Sequence, residues 1–345
     1  LTVALAGLLT VVLLAACGSS GNDDSNGTKA DASSDNSGPA LAAAQLSIVA
    51  YSTPQEAYGK IIKAFQATSQ GKNITFTESY GASGDQSRAV EAGLQADIVG
   101  FSLEPDMTRL VKANIVAPDW SQRPDKGMVT NSVVALVVRK GNPKGIKDWS
   151  DLTKQGIEVI NPNPFTSGGA RWNVMAAYGA KSATGKDDAA GVAYLNDLFT
   201  HIPVQDDSAR KSLQTFTGGK GDVLLGYENE AVFAQQKSQP IDYVVPDDTI
   251  LIENPVAVTA NSKHPEQAKA FLEFLFSDTA QKIFAEAGYR PTKAGVKGSI
   301  TFKKPSGLFT IDDLGGWATV SKKFFDSKTG VLVDVERKLG VSTEK

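Results

Sequence analysis

From Leu46 onward, short apolar runs alternate with longer stretches whose apolar residues recur every three to four positions. Leu46–Tyr51 reads as a strand, and within Thr53–Ser69 the residues Tyr58, Ile61, Ile62 and Phe65 share one helical face. Ile74–Glu78 alternates like a strand, Asp85–Gln95 has helical spacing, and Ala96–Phe101 reads as a buried strand. Val133–Val138 is wholly apolar, the pattern of a strand covered on both faces. An extended run, Ile157–Ile160, precedes helical spacing over Ala170–Ala180. Gly221–Gly226 predicts a strand, Glu228–Gln236 a helix after it, and Val256–Thr259 one more strand. Pro265 suits the first position of a helix with Ala268, Phe271, Leu272 and Leu275 as its apolar stripe. A second helix reaches Ala287 and meets its stop signals at Gly288 and Pro291. Strands alternating with helices predict an α/β architecture with mostly parallel sheets. The pattern shows no internal repeat, and about 300 residues favour two lobes over one.

In open α/β sheets, ligands sit beyond the carboxyl ends of strands, where helices begin. Small, donor-rich residues recur at such places here. Ser52 ends the first strand, Gly81–Gly84 precedes the helix at Asp85, Ser208 and Ala209 open the run before Phe216, and Tyr227 ends the strand at Leu224. The most informative stretch is Pro162–Asn173. Two prolines close an extended segment, and Ser167-Gly168-Gly169 then opens a helix. Two glycines at a helix start leave backbone N–H groups bare and let an anion approach them closely. An ordinary strand-to-helix turn has the same composition, so this stretch alone leaves both readings open. The repetition of small donors with little charge points towards an oxyanion cradle.

The ends and the charge narrow the picture. Leu1–Leu14 is almost wholly apolar and runs into Leu14-Ala15-Ala16-Cys17, a short apolar region closed by small residues. It is too short for a mature membrane span. Leu-Ala-Ala-Cys resembles the lipobox of bacterial lipoproteins, which implies cleavage before Cys17 and lipid attachment to its thiol. Cys17 is the only cysteine, so no disulfide is expected. Residues 1–17 are therefore assigned as a signal segment and 18–45 as a disordered tether, since Gly18–Ala44 has no aromatic residue and few groups to bury. Residues 1–45 carry Asp23, Asp24, Asp31 and Asp35 against Lys29. The whole chain has 35 basic and 38 acidic residues, which leaves the body neutral. A neutral body argues against nucleic acid and against a polybasic membrane surface as partners. Any anion site must then rest on local geometry, not on bulk charge.

Several segments resemble the sulfate-binding proteins of ABC importers. They include Gly84-Asp85-Gln86-Ser87, Ala96-Asp97-Ile98-Val99, Val138–Lys144, Asp148–Leu152, Pro162-Asn163-Pro164 with Ser167–Asn173, Gly221-Asp222-Val223 with Glu228–Ala231, Tyr289-Arg290-Pro291, and Phe309–Asp312 with Gly315-Gly316-Trp317. The matches run in family order from about Leu46 to Phe325. Ser-Gly-Gly-Ala-Arg-Trp-Asn is the stretch most specific to the sulfate and thiosulfate group. The resemblance implies a two-lobed periplasmic-binding-protein-like fold of type II, with a hinge between lobes that close on one tetrahedral dianion. It puts lobe 1 at 46–130 and 255–345 and lobe 2 at 131–254. It implies sulfate contacts at Ser52, Ser83, Ser167, Gly168, Gly169, Ala209 and Tyr227, with Arg171 as a charge behind the turn and not a ligand. Two positions depart from the family pattern: Ser52 stands where Asp is common, and Tyr227 replaces an indole donor. No cofactor and no metal is implied. The implied partners are sulfate, the importer's membrane subunits and the membrane itself through the lipid anchor, with the protein an extracytoplasmic monomer.

Thiosulfate, molybdate and tungstate remain alternatives, since all present tetrahedral acceptors. A secreted hydrolase is the rival of another class. His201 and His264 lack metal spacing, and neither a Gly-x-Ser-x-Gly elbow nor a His-Glu-x-x-His stretch occurs. Asp206-Asp207 reads as solvated loop acids. Thr217–Gly221 precedes a strand, whereas a phosphate-binding loop of the Walker type precedes a helix.

Overall fold

The computed structural model describes residues 38–341 and Thr343, so Cys17, its preceding apolar run and most of the 18–45 stretch lie outside the described residues. In chain order the first part holds β1 (Ala44–Tyr51), α1 (Gln55–Gln66), β2 (Ile74–Gly81), α2 (Ser83–Glu91), β3 (Ile98–Gly100) and α3 (Glu104–Lys112). The middle holds β4 (Met128–Arg139), β5 (Val159–Ile160), α4 (Gly168–Lys181), α5 (Asp188–Thr200), α6 (Ala209–Thr217), β6 (Val223–Tyr227), α7 (Glu228–Gln236) and β7 (Ile241–Val244). The chain returns through β8 (Asp248–Val258), α8 (Pro265–Leu275) and α9 (Asp278–Glu286), and ends with β9 (Gly307–Phe309), α10 (Gly316–Phe325) and α11 (Val331–Lys338).

The sheet runs β2-β1-β3-β8-β4-β6-β5, with β7 added to β4 and β9 to β8. Each end is parallel: β1 pairs with β2 and β3, and β5 with β6. Every antiparallel pair among the described residues involves β4 or β8. These two long strands join the parts. Met128–Val133 pairs with β8, while Val134–Val138 pairs with β6. The polar start of β4, with Thr130, Asn131 and Ser132, hides it from an apolar pattern that begins at Val133.

Helix faces follow the sequence where the stripe is clean. In α1 the buried residues are Ala57, Tyr58, Ile61, Ile62 and Phe65. Phe65 meets Phe271 and Phe274 of α8 at ring-centroid distances of 5.2 and 5.4 Å. In α8 the buried face takes Phe274, while Leu272, expected in the stripe, is only partly covered. Helix α9 ends as expected, and Gly288 adopts φ 90°, where a Cβ would lie 2.7 Å from Val232 of α7.

Two expectations about boundaries change. The last residues of the 18–45 stretch belong to the body: Ala44 and Gln45 pair in β1, and the Gln267 amide donates to the Ala42 carbonyl at 3.2 Å. Pairing satisfies backbone groups that composition alone leaves free. The tail, expected with 255–308 in one lobe, touches both parts, α10 packing on α3 as well as on the middle part. Trp317, Phe324, Leu332 and Val333 share a core with Trp172, Tyr178 and Leu198 of the middle part, and Trp317 lies edge-on to Trp172 at 4.7 Å. The apolar faces of α4 and α5 need that cover, which a linear pattern does not assign.

Candidate functional site

Strand ends and helix starts converge on one small cavity of about 10 Å³. That is far below the usual size of a small-molecule pocket. Ser52 follows β1, Ala82 and Ser83 follow β2, Ser102 follows β3, and Tyr227 ends β6. Helices α2, α4 and α6 begin there at Ser83, Gly168 and Ala209. Their first N–H groups have no partner within the helix, and each helix start carries a partial positive charge of about half a unit. No lining residue carries an ionisable acid, amine or guanidinium; the only titratable groups in the wall are Tyr51 and Tyr227. Burial raises the Tyr51 phenol to about 12 and the Tyr227 phenol well above its ordinary value, so both keep their protons. Tyr51 Oη is buried next to the hydroxyls of Tyr289, Thr53 and Thr130.

Six of the seven residues expected as ligands line this cavity: Ser52, Ser83, Ser167, Gly169, Ala209 and Tyr227. Gly168 stands behind it. A Cβ there would lie 2.7 Å from Ser102 Cβ and 2.9 Å from Leu103 Cγ, so the glycine permits close approach of α4 to the end of β3. The hydroxyl expected from Ser83 is already committed. It donates to Asp106 Oδ2 at 2.6 Å and accepts from Ser102 N at 2.9 Å, which leaves the Ser83 N–H as the donor at the cavity. Burial raises the Asp106 carboxyl above its ordinary value, offset by the charge of Arg171 and the Ser83 hydrogen bond. Arg171 donates from Nε to the Pro164 carbonyl at 2.8 Å and lies over the Phe325 ring at 4.8 Å. It braces the Pro162–Ser167 turn from outside the cavity.

Ser167 caps α4, its Oγ accepting from Ala170 N at 3.3 Å. Ser167→Ala is expected to lower the unfolding free energy by about 1 kcal/mol through loss of that cap. The check is a urea titration of the ion-free protein, in which the midpoint falls at unchanged slope. An unmoved midpoint would remove the capping role.

Contacts close the cavity from both sides. Gly84 N donates to the Thr166 carbonyl at 3.1 Å, and Trp172 Nε1 to the Ser102 carbonyl at 2.8 Å. Arg210, next to Ala209, donates to the Thr53 carbonyl at 2.9 Å and grips Glu230 with two hydrogen bonds of 2.8 and 2.9 Å. Arg290 pairs with the buried Glu228 at 2.8 Å. Charges near the site are thus paired with one another outside the cavity wall.

Tyr51, Thr53 and Ser102 line the cavity and were not candidates from the sequence; Ser102 was missed because α3 was not read as a helix. Pro105, two residues after Leu103 and in the first turn of the helix, was the available signal. Asp206 and Asp207 do not form a paired-acid site. Asp206 accepts from Ser212 and Thr215 at 3.0 Å each, and Asp207 pairs with Lys211 at 2.5 Å. Among the described residues no group of three or more His, Cys, Asp or Glu could hold a metal ion.

Residues 46–290 match the family model described as bacterial extracellular solute-binding protein. A sulfate-binding protein of Synechococcus elongatus is 44% identical over 327 residues, covering 92% of this chain and 90% of that protein. A thiosulfate-binding protein of Pseudomonas aeruginosa is 34% identical over 302 residues, covering 84% and 91%. Among solved structures, the sulfate-binding protein SubI from Mycobacterium tuberculosis superposes with a TM-score of 0.80 at 45% identity, covering 82% of this chain and 99% of that one.

Proposed function

The chain belongs to the family of bacterial extracellular solute-binding proteins, and from that premise we propose that it captures sulfate in the closed cavity and delivers it to an ABC importer. The observation that carries this reading is a wall of N–H and O–H donors at three helix starts with no charged side chain in it. Such a wall suits an anion that offers only acceptors. Sulfate is fully ionised near neutrality. Phosphate keeps a proton on part of its population, its second pKa being about 6 in an ester. Facing a donor, that proton leaves a buried group unpaired, at a cost of about 1–3 kcal/mol.

In this reading Ser83, Gly168, Gly169 and Ala209 act through backbone N–H groups, and Ser52, Ser167 and Tyr227 complete the shell. The lobes are 46–130 with 255–308, and 131–254 with the tail, which the shared core around Trp172 and Trp317 supports. They close by hinge motion, as binding proteins of this kind do. Cys17 carries the lipid that holds the protein outside the cytoplasm, and the protein acts as a monomer. No helix among the described residues is long and apolar enough to cross a membrane. The similarity to a thiosulfate-binding protein favours thiosulfate as the second reading.

Ion-stripped protein melted in sulfate, thiosulfate, molybdate and phosphate tests this. Sulfate at a hundredfold excess over its Kd is expected to stabilise by about 2.7 kcal/mol, with phosphate giving little shift. A flat response to sulfate ends the sulfate reading, and a larger response to thiosulfate moves the assignment there.

A further inference from the structure

The residue with the most unexplained geometry at the cavity is Ser102. It is 1% exposed, and its Oγ lies 2.5 Å from the Tyr227 phenol oxygen across the cavity wall. We propose that Ser102 is a binding residue of the anion site, its hydroxyl and that of Tyr227 acting as one donor unit. The inference rests on the anion-binding reading above and adds to it a residue that came from the geometry alone.

Each hydroxyl has one hydrogen and two lone pairs. One hydrogen fills the short contact between the two oxygens. The other remains for the cavity, on Ser102 if the phenol donates and on Tyr227 if the serine does. The neighbours do not take it. Asn254 Nδ2 donates to the Ser102 carbonyl at 3.1 Å, and its Oδ1 accepts from Thr130 at 3.1 Å. The Ser102 backbone is fixed as well, since its N–H goes to Ser83 and its carbonyl also accepts from Trp172. The unit is therefore held in place before the ion arrives, and it always presents one O–H to a fully ionised oxygen. The pair thus offers the anion one donor whichever hydroxyl gives its hydrogen to the other.

Two hydroxyls sharing one task make each other partly redundant. With inorganic sulfate as probe and calorimetric Kd as readout, Ser102→Ala and Tyr227→Phe are each expected to weaken binding by less than about tenfold, because the surviving hydroxyl turns to the anion. The double variant is expected to lose about a hundredfold or more, as a missing hydrogen bond to a charged group does. That is more than the product of the single losses. If the double variant equals that product, or equals Tyr227→Phe alone, Ser102 lies outside the donor unit and the proposal falls. If Ser102→Ala does not fold, Ser102→Cys takes its place in the cycle, keeping the volume with a much weaker donor. Failure of the underlying reading is separate: the unaltered protein then binds no sulfate at all.

Discussion

Gly168→Ala is expected to raise the sulfate Kd at least a hundredfold, while Gly169→Ala, one residue on, changes it far less. The difference lies in what a methyl group would meet. At Gly168 it would sit 2.7 Å from Ser102 Cβ and 2.9 Å from Leu103 Cγ and Ser102 Oγ, distances real Cβ atoms do not show. Ser102 is held by four hydrogen bonds, from its N–H, at its carbonyl twice and at its hydroxyl, so it cannot step aside. The end of β3 and the start of α4 must separate, and the closed cavity opens. At Gly169 the nearest atoms are Ala209 Cβ at 3.4 Å, Ser167 Oγ at 3.5 Å and Tyr227 Cε1 at 3.6 Å, which is near ordinary contact. A hundredfold loss corresponds to about 2.7 kcal/mol of closure energy. The ion-free protein should tolerate Gly168→Ala, because Gly168 lacks a positive φ and alanine lowers the entropy of the unfolded chain, worth about 0.4–1 kcal/mol. Calorimetric titration of both variants decides it. Equal losses at the two positions would show that close approach at Gly168 is not what permits closure.

Raising the pH from 5 to 8 is expected to destabilise the protein through Glu336, by up to about 3 kcal/mol for a shift of this size. Glu336 lies on α11, 0% exposed, and its Oε2 accepts from Gln205 Nε2 at 2.7 Å. Its Oε1 and the Gln205 Oε1 are both buried without a partner. One proton on the carboxyl lets it donate to the amide oxygen, satisfying both orphans in a two-bond acid–amide pair. Burial raises its pKa from 4.5 to about 7, and only the Gln205 hydrogen bond offsets the rise. The folded state therefore holds this proton more tightly than the unfolded chain. The contribution is complete below about 4.5 and is lost as the pH rises through about 7. Glu336→Gln supplies a permanent N–H in place of the proton. Urea unfolding should find this variant close to the unaltered protein at pH 5 and more stable at pH 8. A difference that is the same at both pH values would falsify the assignment. Glu228 and Glu230 also have raised carboxyls, because burial outweighs their arginine partners, so the comparison with Glu336→Gln is what isolates this site.

The helix starts of the candidate site were legible before any coordinates. Ser167-Gly168-Gly169 and Ala209 lie at helix starts marked by glycines and serine caps, local signals read within a few residues. The parallel ends of the sheet followed from apolar runs of strand length. What the pattern could not supply was anything set by distant partners. Ser102 escaped notice because α3 has a short stripe, Met107 and Leu110, and a buried Asp106 where a helix face is usually apolar. Asp106 is tolerated there only because Ser83 donates to it and Arg171 lies near, residues 23 and 65 positions away. The resemblance put the tail with lobe 1, whereas Trp317 and Leu332 also reach the faces of α4 and α5, which need apolar partners.

The sequence by itself determined an alternating α/β chain, a neutral body and a set of donor-rich turns at strand ends, since these depend on composition and on neighbours a turn away. Only the tertiary structure decided which turns meet, that the Ser83 hydroxyl faces Asp106 and not the cavity, and that Gly168 is a point of contact and not of lining. The physical reason is the same in each case. Hydrogen-bond direction and van der Waals clearance are fixed by atoms far apart in the chain, and no local pattern encodes them.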